Sequence, residues 1–92
     1  FMLLFKEAGK IKNSDPASVD AQNLVKRIQD YITENLYTCT NKILRGLGKM
    51  YSGGGDITMN IDVYGGKGTA NFVSDAIEIY CDNAEKIETL SM

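Results

Sequence analysis

The sequence is notable first for what it lacks. It has no histidine, and its two cysteines, Cys39 and Cys81, are far apart and form no C-x-x-C motif. Without histidine, Ser–His and Cys–His nucleophile pairs and ordinary zinc sites are excluded. No pair of carboxylates is spaced for acid–base work, so we expect neither an enzyme nor a bound cofactor or metal. Two distant cysteines make no disulfide framework, so free thiols in a cytoplasmic protein are expected.

The chain also lacks a basic stripe and a long apolar run. Its 92 residues carry a net charge of −2, and the basic residues are scattered, which argues against direct DNA contact. The opening FMLLF is followed directly by the charged residues Lys6 and Glu7. This apolar segment is therefore too short for a membrane span and unlike a signal peptide. We expect a single domain over residues 1–92 that is a fragment of a longer protein.

What the sequence does contain is helical periodicity. Apolar residues recur at three- and four-residue spacing, and no segment alternates long enough to predict a strand. Gly9 is predicted to end the first helix. Asp15 followed by Pro16 predicts the start of the second, and Thr69 is the predicted N-cap of the last. These patterns predict an all-α domain of five or six helices.

Glycine is concentrated around the third and fourth helices. The third helix is predicted from Leu36 to about Tyr51, after a break at residues 33–35, and contains Gly46 and Gly48. Each glycine costs about 1 kcal/mol relative to alanine in a helix, so small residues here indicate close approach of a backbone or a ligand. Residues 52–55 read SGGG, and Asp56 is predicted to cap a short fourth helix.

Several residues have two readings. YGGKGT is no phosphate-binding loop, because Gly68 follows Lys67 and no strand precedes it. Asp62 does not fit a calcium-loop spacing and is interpreted as a surface carboxylate. Cys39 lies near a predicted helix start, which lowers a thiol pKa, so it is either a reactive thiol or a small core residue. The five tyrosines either line an amphipathic pocket or rim an ordinary core.

The segments NLYTCTNKILRGLGKMY and DITMNIDVYGGKGTANFVSDAIEIYC resemble the TipAS domain. This is the C-terminal antibiotic-recognition domain of MerR-type, drug-responsive transcription regulators. The resemblance spans Leu36 to Cys81. It rests on these motif residues: Tyr37, Cys39, Leu47, Gly48, Met50, Tyr51, Asn60, Ile61, Asp62, Gly68, Ala70, Phe72, Asp75, Ala76 and Ile77.

The resemblance implies a globin-like helical domain with a cleft for large, cyclic, thiazole-rich peptide antibiotics. In the family, ligand orders N-terminal helices over the cleft, while DNA binding and dimerisation belong to parts outside this chain. The family cysteine that adds to dehydroalanine precedes L-G-x-M-Y, where this chain has Gly46. Cys39 matches a second family cysteine, so adduct formation there stays open. The turn SGGGDI also departs from the family, with Ile57 in place of an aromatic residue.

The predicted function is ligand sensing for a transcription regulator, with non-covalent binding of thiopeptide-like or other amphipathic antibiotics. Gly46 and Gly48 would line the cleft, and the fourth helix would swing to close it. A stand-alone drug-sequestering protein and a helical protein-interaction module are the alternatives. The full-length regulator is expected to be a homodimer. The predicted ligand-binding residues are Tyr37, Cys39, Ile43, Leu47, Met50, Tyr51, Ile61 and Phe72.

Overall fold

A computed structural model describes the backbone of residues 2–90 and the side chains of residues 3–86. Within this range the fold is all-α, with five helices and no strand, which confirms the predicted fold class. The globin-like arrangement stays a prediction. The helices are α1 Met2–Ile11, α2 Val19–Asn35, α3 Asn41–Tyr51, α4 Asp56–Gly65 and α5 Thr69–Leu90.

Helices α2 and α5 supply most of the core, as their apolar spacing predicts. α5 packs against each of the other four helices, so it is the central element of the fold. Both helices bury one continuous stripe while their other faces stay largely polar, which is the pattern of an amphipathic helix on a core. The buried stripes are Ala21, Leu24, Val25, Ile28 and Ile32 on α2, and Phe72, Val73, Ala76 and Ile77 on α5.

The start of α2 differs from the prediction. The helix begins at Val19, and Ser18 is its N-cap, with Oγ accepting a hydrogen bond from the Ala21 amide at 3.3 Å. Asp15 instead accepts from the Ala17 amide at 2.8 Å and forms a turn before the helix. The Asp-Pro signal and the serine are both good helix starters, and the later one prevails because it can cap the helix directly.

The boundary between α2 and α3 was also predicted wrongly. α2 continues through residues 33–35, and residues 36–40 connect it to α3 outside either helix. Thr40 is the N-cap of α3, with Oγ1 accepting from the Ile43 amide at 3.2 Å. The predicted third helix from Leu36 is therefore too long by about one turn, and Cys39 lies in the connection.

Helices α1 and α4 cross at a pair of glycines. Gly9 lies inside α1 and does not end it, contrary to the prediction. A Cβ atom on Gly9 would lie 2.5 Å from the Cα of Gly65, and real Cβ atoms do not approach so closely. The two backbones therefore touch, and glycine at this position serves helix packing instead of chain reversal.

Asp62 was interpreted as a surface carboxylate, but it has a structural role. Its Oδ1 accepts a hydrogen bond from the Ala70 amide at 2.9 Å, so a side chain of α4 caps the start of α5. Thr69, the predicted N-cap, is the first residue of α5, and its hydroxyl donates to the Gly66 carbonyl at 2.6 Å. Asp56 is likewise the first residue of α4, after the N-cap Gly55.

Candidate functional site

Helix α3 has one buried face and one exposed apolar edge. Ile43 is 40% exposed and Met50 is 54% exposed, and Leu47 between them is half-buried. Their spacing of four and three residues puts them on one edge of the helix, which we call the outer stripe. A Cβ atom on Gly46 would meet nothing within 4 Å. The outer stripe is therefore open to a ligand at Ile43, Gly46 and Met50, whereas Leu47 is partly covered because it packs against the core.

The buried face of α3 lies about 100° around the helix from the outer stripe and packs closely on α5. Leu44, Gly48 and Tyr51 are buried there. A Cβ atom on Gly48 would lie 3.0 Å from the nearest side-chain atom of Ile77, so Gly48 lets the two helices approach each other. Gly48 thus serves core packing, while Gly46 is the glycine that leaves open surface.

Tyr51, the last residue of α3, packs against α1. Its ring meets the ring of Phe5 edge-on, with centroids 5.4 Å apart and an interplanar angle of 84°. Burial, with smaller electrostatic contributions from Tyr37 and Cys39, raises the pKa of Tyr51 to about 12. The phenol is therefore neutral at physiological pH. Tyr37 and Cys39 are thus close enough to Tyr51 to influence the pKa of its phenol, although they precede α3 and Tyr51 ends it.

Cys39 is a buried cysteine, only 4% exposed. Burial raises the pKa of its thiol, which opposes the lowering expected near a helix start. The residue also precedes the N-cap Thr40, so it lies outside the first turn of α3. Because the thiolate is the reactive form, the protonated thiol is a poor nucleophile, and the core reading of Cys39 is the one that the structure favours.

Gln29 holds the connection that carries Cys39. Its Nε2 donates to the Cys39 carbonyl at 2.9 Å and to Oδ1 of Asn41 at 2.8 Å. Its Oε1 accepts from the Tyr80 hydroxyl at 2.9 Å. One amide thus links α2, the start of α3 and α5. Sequence reasoning missed Gln29, because a polar residue beside an apolar stripe is ordinary in an amphipathic helix and gives no local signal.

The eight predicted ligand-binding residues divide into two groups. Ile61 and Phe72 are 1% and 5% exposed, so a ligand reaches them only if the helices separate. Residues that a ligand can reach in the described fold are Tyr37, Ile43, Met50 and, in part, Leu47. The buried members are Cys39, Tyr51, Ile61 and Phe72.

Helix α4 is held at both of its ends. At its start, the Thr58 hydroxyl donates to the Tyr51 carbonyl at 2.7 Å and accepts from the Gly54 amide at 2.9 Å. At its end, Gly65 touches Gly9 of α1. A swing of α4 toward α3 would have to break both attachments, so the described fold argues against that part of the hypothesis.

Two cavities lie away from the outer stripe. One, of about 450 Å³, lies between α3 and α5, and the other, of about 370 Å³, lies between α1 and α2. No predicted ligand-binding residue lines either cavity. The first is lined by Asn41, Lys42, Arg45, Cys81 and Glu85, and the second by Leu3, Leu4, Arg27, Asp30, Tyr31 and Glu34.

Comparison with known proteins identifies the family. The sequence profile of the TipAS antibiotic-recognition domain matches residues 2–80. The chain belongs to the TipAS family. The TipAS domain is 38% identical over 78 residues to the HTH-type transcriptional activator mta of Bacillus subtilis (strain 168). That alignment covers 85% of this chain and 30% of the activator, so the chain spans about a third of its relative.

No solved structure matches the chain significantly. Across the described part of the chain, no helix combines the length and the apolar character that a membrane crossing needs.

Proposed function

We propose that this TipAS domain is the ligand-sensing part of a transcription regulator and binds amphipathic, thiopeptide-like antibiotics. The observation that carries the proposal is the exposed outer stripe beside Gly46, with Tyr37 on the adjoining connection. Apolar side chains at 40–54% exposure offer surface that a large, flat ligand can cover, and Tyr37 is 50% exposed. Burial of such surface is the main source of affinity for a ligand of this kind.

Binding at this surface is proposed to be non-covalent. The cysteine next to the surface is buried, and its raised pKa keeps it protonated. No other cysteine belongs to α3 or to residues 36–40. Affinity therefore comes from contact with the outer stripe and with the ring of Tyr37.

The sensing step is proposed to be a shift in population. Residues 36–40 lie outside the helices and are tied to α2 by the Gln29 amide, through the Cys39 carbonyl. A ligand that contacts both Tyr37 and α3 favours the ordered arrangement of this connection. It stabilises the domain by RT ln(1 + [L]/Kd), which couples ligand concentration to domain order.

The output is proposed to lie in parts of the protein outside these residues. The relative is named a transcriptional activator, and this chain, at net charge −2, has no basic stripe for DNA. DNA binding through a MerR-type domain elsewhere, homodimerisation and a cytoplasmic location complete the proposal. Sequencing the full-length gene product tests it, because a helix-turn-helix segment distinguishes a regulator from a stand-alone drug-sequestering protein.

The binding surface is tested with a matched pair of isoleucines. Ile43 on α3 and Ile57 on α4 are 40% and 42% exposed, so each can be changed to alanine at similar cost to folding. We expect Ile43→Ala to weaken thiopeptide binding about tenfold, because the lost apolar contact is worth about 1–2 kcal/mol. Ile57→Ala should leave the affinity unchanged in isothermal titration calorimetry.

Two results would contradict the proposal. Equal losses for the two variants would mean that the outer stripe is not the contact surface. A covalent mass increase at Cys39 after incubation with a thiopeptide would contradict non-covalent binding.

One observation favours a second function, a helical protein-interaction module. On α4, Met59 is 64% exposed and Val63 is 80% exposed. They form an apolar surface on the side of α4 that faces away from α1 and α5. If thiopeptides fail to bind and a partner helix protects the α4 amides from hydrogen exchange, the interaction module is the better description.

A further inference from the structure

Two side chains of α2 hold the backbone of one residue in the connection before α3. The Cys39 amide donates a hydrogen bond to Oγ1 of Thr33 at 3.1 Å, and the Cys39 carbonyl accepts one from Nε2 of Gln29 at 2.9 Å. Gln29 and Thr33 are four residues apart, so they lie one turn apart on the same face of α2. The backbone of Cys39 is therefore attached to α2 at both its donor and its acceptor.

The Gln29 amide also reaches α5. Its Oε1 accepts a hydrogen bond from the hydroxyl of Tyr80, a half-buried residue of α5, at 2.9 Å. A backbone carbonyl can only accept, so the Cys39 carbonyl decides which end of the Gln29 amide faces it. The oxygen end that remains can only accept from Tyr80. Gln29 thus joins the connection to α5, whereas the bond of Thr33 joins it to α2.

The held residue lies between the proposed ligand contacts. Tyr37 precedes Cys39 by two residues, and the outer stripe begins at Ile43, four residues after it. The Tyr37 amide donates to the Ile32 carbonyl at 3.1 Å, so the backbone is held on both sides of Thr38. Because one residue separates Tyr37 from Cys39, the place of the Tyr37 ring relative to α3 depends on where the Cys39 backbone is held.

From these contacts we propose that Gln29 is a positioning residue, which places Tyr37 for ligand binding and couples its position to Tyr80 on α5. A ligand that displaces the Cys39 carbonyl also displaces the Gln29 amide and changes its bond to Tyr80. The coupling is reciprocal, so loss of the Tyr80 bond loosens the connection at Cys39. The inference rests on the proposed function for its ligand, but the coupling itself can be measured without one.

The first test uses the chain without ligand. Tyr80→Phe keeps the ring and removes the hydroxyl that donates to Gln29, and Tyr64→Phe makes the same change at an exposed tyrosine of α4. We expect Tyr80→Phe to speed hydrogen exchange of the Cys39 amide about threefold, part of the effect of one hydrogen bond. Tyr64→Phe should leave this rate unchanged.

Two outcomes of the exchange experiment would overturn the proposal. One is an unchanged exchange rate of the Cys39 amide in Tyr80→Phe. The other is faster exchange to the same degree in all five helices, because that result would mean a general loss of stability without specific coupling.

The second test examines the bond from Gln29 to the Cys39 carbonyl. Gln29→Glu keeps an acceptor for the Tyr80 hydroxyl but removes the donor to Cys39, while Gln29→Met removes both. We expect both variants to speed exchange of the Cys39 amide at least as much as Tyr80→Phe does. Circular dichroism confirms that each variant is folded. If Gln29→Glu exchanges at the rate of the unaltered chain, the donor is not needed and the proposal is wrong.

The third test measures the affinity for the thiopeptide thiostrepton by calorimetry. We expect Tyr80→Phe to weaken binding about threefold, again part of the effect of one hydrogen bond. In a Tyr37→Ala background the same change should have no effect, because the ring that it positions is gone. In an Ile43→Ala background the threefold loss should remain, since that contact is independent. Equal losses in both backgrounds would contradict positioning of Tyr37.

The role of Gln29 and the proposed ligand can fail separately. If thiostrepton does not bind the unaltered chain, the antibiotic proposal is wrong, and the exchange rates of the Cys39 amide alone decide on Gln29. If thiostrepton binds and Tyr80→Phe changes neither the exchange rate nor the affinity, only the role of Gln29 is wrong.

Discussion

Two helix pairs in this domain are joined by different means. α1 and α4 meet backbone to backbone at Gly9 and Gly65, where there is no room for a side chain. α3 and α5 meet through side chains, with Gly48 against Ile77 and Arg45 reaching carboxylates on α5. The first contact has no adjustable part, whereas side chains in the second can change rotamer. We therefore expect the α1–α4 pair to be rigid and the α3–α5 pair to tolerate substitution.

The largest effect is expected from Gly9→Ala. The added methyl group would meet the backbone of Gly65, so one helix has to move, and we expect a loss of about 3 kcal/mol in the free energy of unfolding. Urea denaturation measures it. Gly46→Ala is the control, because its methyl group enters open space and should stabilise α3 by about 0.5–1 kcal/mol. Similar values for the two variants would show that the α1–α4 contact is not tight.

The next effect concerns Tyr51, which touches α1 from the end of α3. Its pKa is about 12 in the folded domain and about 10 in the unfolded chain, so the folded state favours the protonated phenol. The resulting stability is present below pH 10 and is lost as the pH rises toward 12. We expect a loss of about 1 kcal/mol by pH 11 from this group.

Tyr51→Phe tests the assignment because it keeps the ring against Phe5 and removes the ionisable hydroxyl. Stability as a function of pH, followed by circular dichroism, should fall less steeply in the variant. Some slope will remain, since burial also raises the pKa of Tyr80 and Cys81. Identical slopes for the two proteins would contradict the role of Tyr51.

A smaller effect is expected at the ionic contact between α3 and α5. The Arg45 guanidinium contacts Glu78, Asp82 at 2.9 Å and Glu85 at 3.2 Å, and it is the more buried partner in each pair. Oε1 of Glu78 is buried without a hydrogen-bond partner, so the loss of Arg45 leaves that carboxylate less well matched. Arg45→Met should lower the urea midpoint, and added salt should reduce the difference from the unaltered chain.

The control for Arg45 is Lys26→Met. Lys26 pairs with Asp30, and both side chains are more than half exposed, so this pair contributes little to stability. The control should therefore leave the urea midpoint nearly unchanged at every salt concentration. If Lys26→Met and Arg45→Met change the urea midpoint equally, the contact of Arg45 with α5 contributes no more to stability than an exposed ion pair.

The smallest effect is expected from Gly48→Ala. The added methyl group would lie 3.0–3.4 Å from side-chain atoms of Ile77, which can rotate away, unlike a backbone. Mild overpacking opposes the better helix propensity of alanine, so the net change should stay within about 1 kcal/mol. If Gly48→Ala lowered the free energy of unfolding as much as Gly9→Ala does, the α3–α5 contact would be no more tolerant of substitution than the α1–α4 contact.

The sequence predicts those parts of the fold that depend on local spacing. The stripes of α2 and α5 are predictable because their apolar residues repeat at helical intervals over many turns. The end of α2 is not, because Asn35 and Thr40 both favour caps and their local sequence does not distinguish them. Glycine often ends a helix, so the sequence predicts a helix end at Gly9. That Gly9 instead allows α1 to pack against α4 is visible only from its contact with Gly65.

In the candidate site, too, features that depend on local spacing could be predicted and those that depend on contacts between distant segments could not. The outer stripe is visible in the spacing of Ile43, Leu47 and Met50. Which edge of α3 faces the core is decided by α5 and Gly48, so burial of the residues around the stripe was not predictable. The cavity between α1 and α2 was not predicted, because its lining residues Leu3 and Glu34 come from distant segments and no local motif connects them.

The amide of Gln29 has a practical consequence for following this domain in solution. Its three hydrogen bonds use both amide hydrogens and the oxygen, so the amide cannot rotate without losing contacts on three elements. The chain contains no tryptophan, so its near-ultraviolet emission comes from tyrosine. We expect a displacement of the backbone at Cys39 to alter the hydrogen bond of the Tyr80 phenol on α5. Because Tyr80 is one of five tyrosines, its contribution to the unlabelled emission is the part that Tyr80→Phe removes.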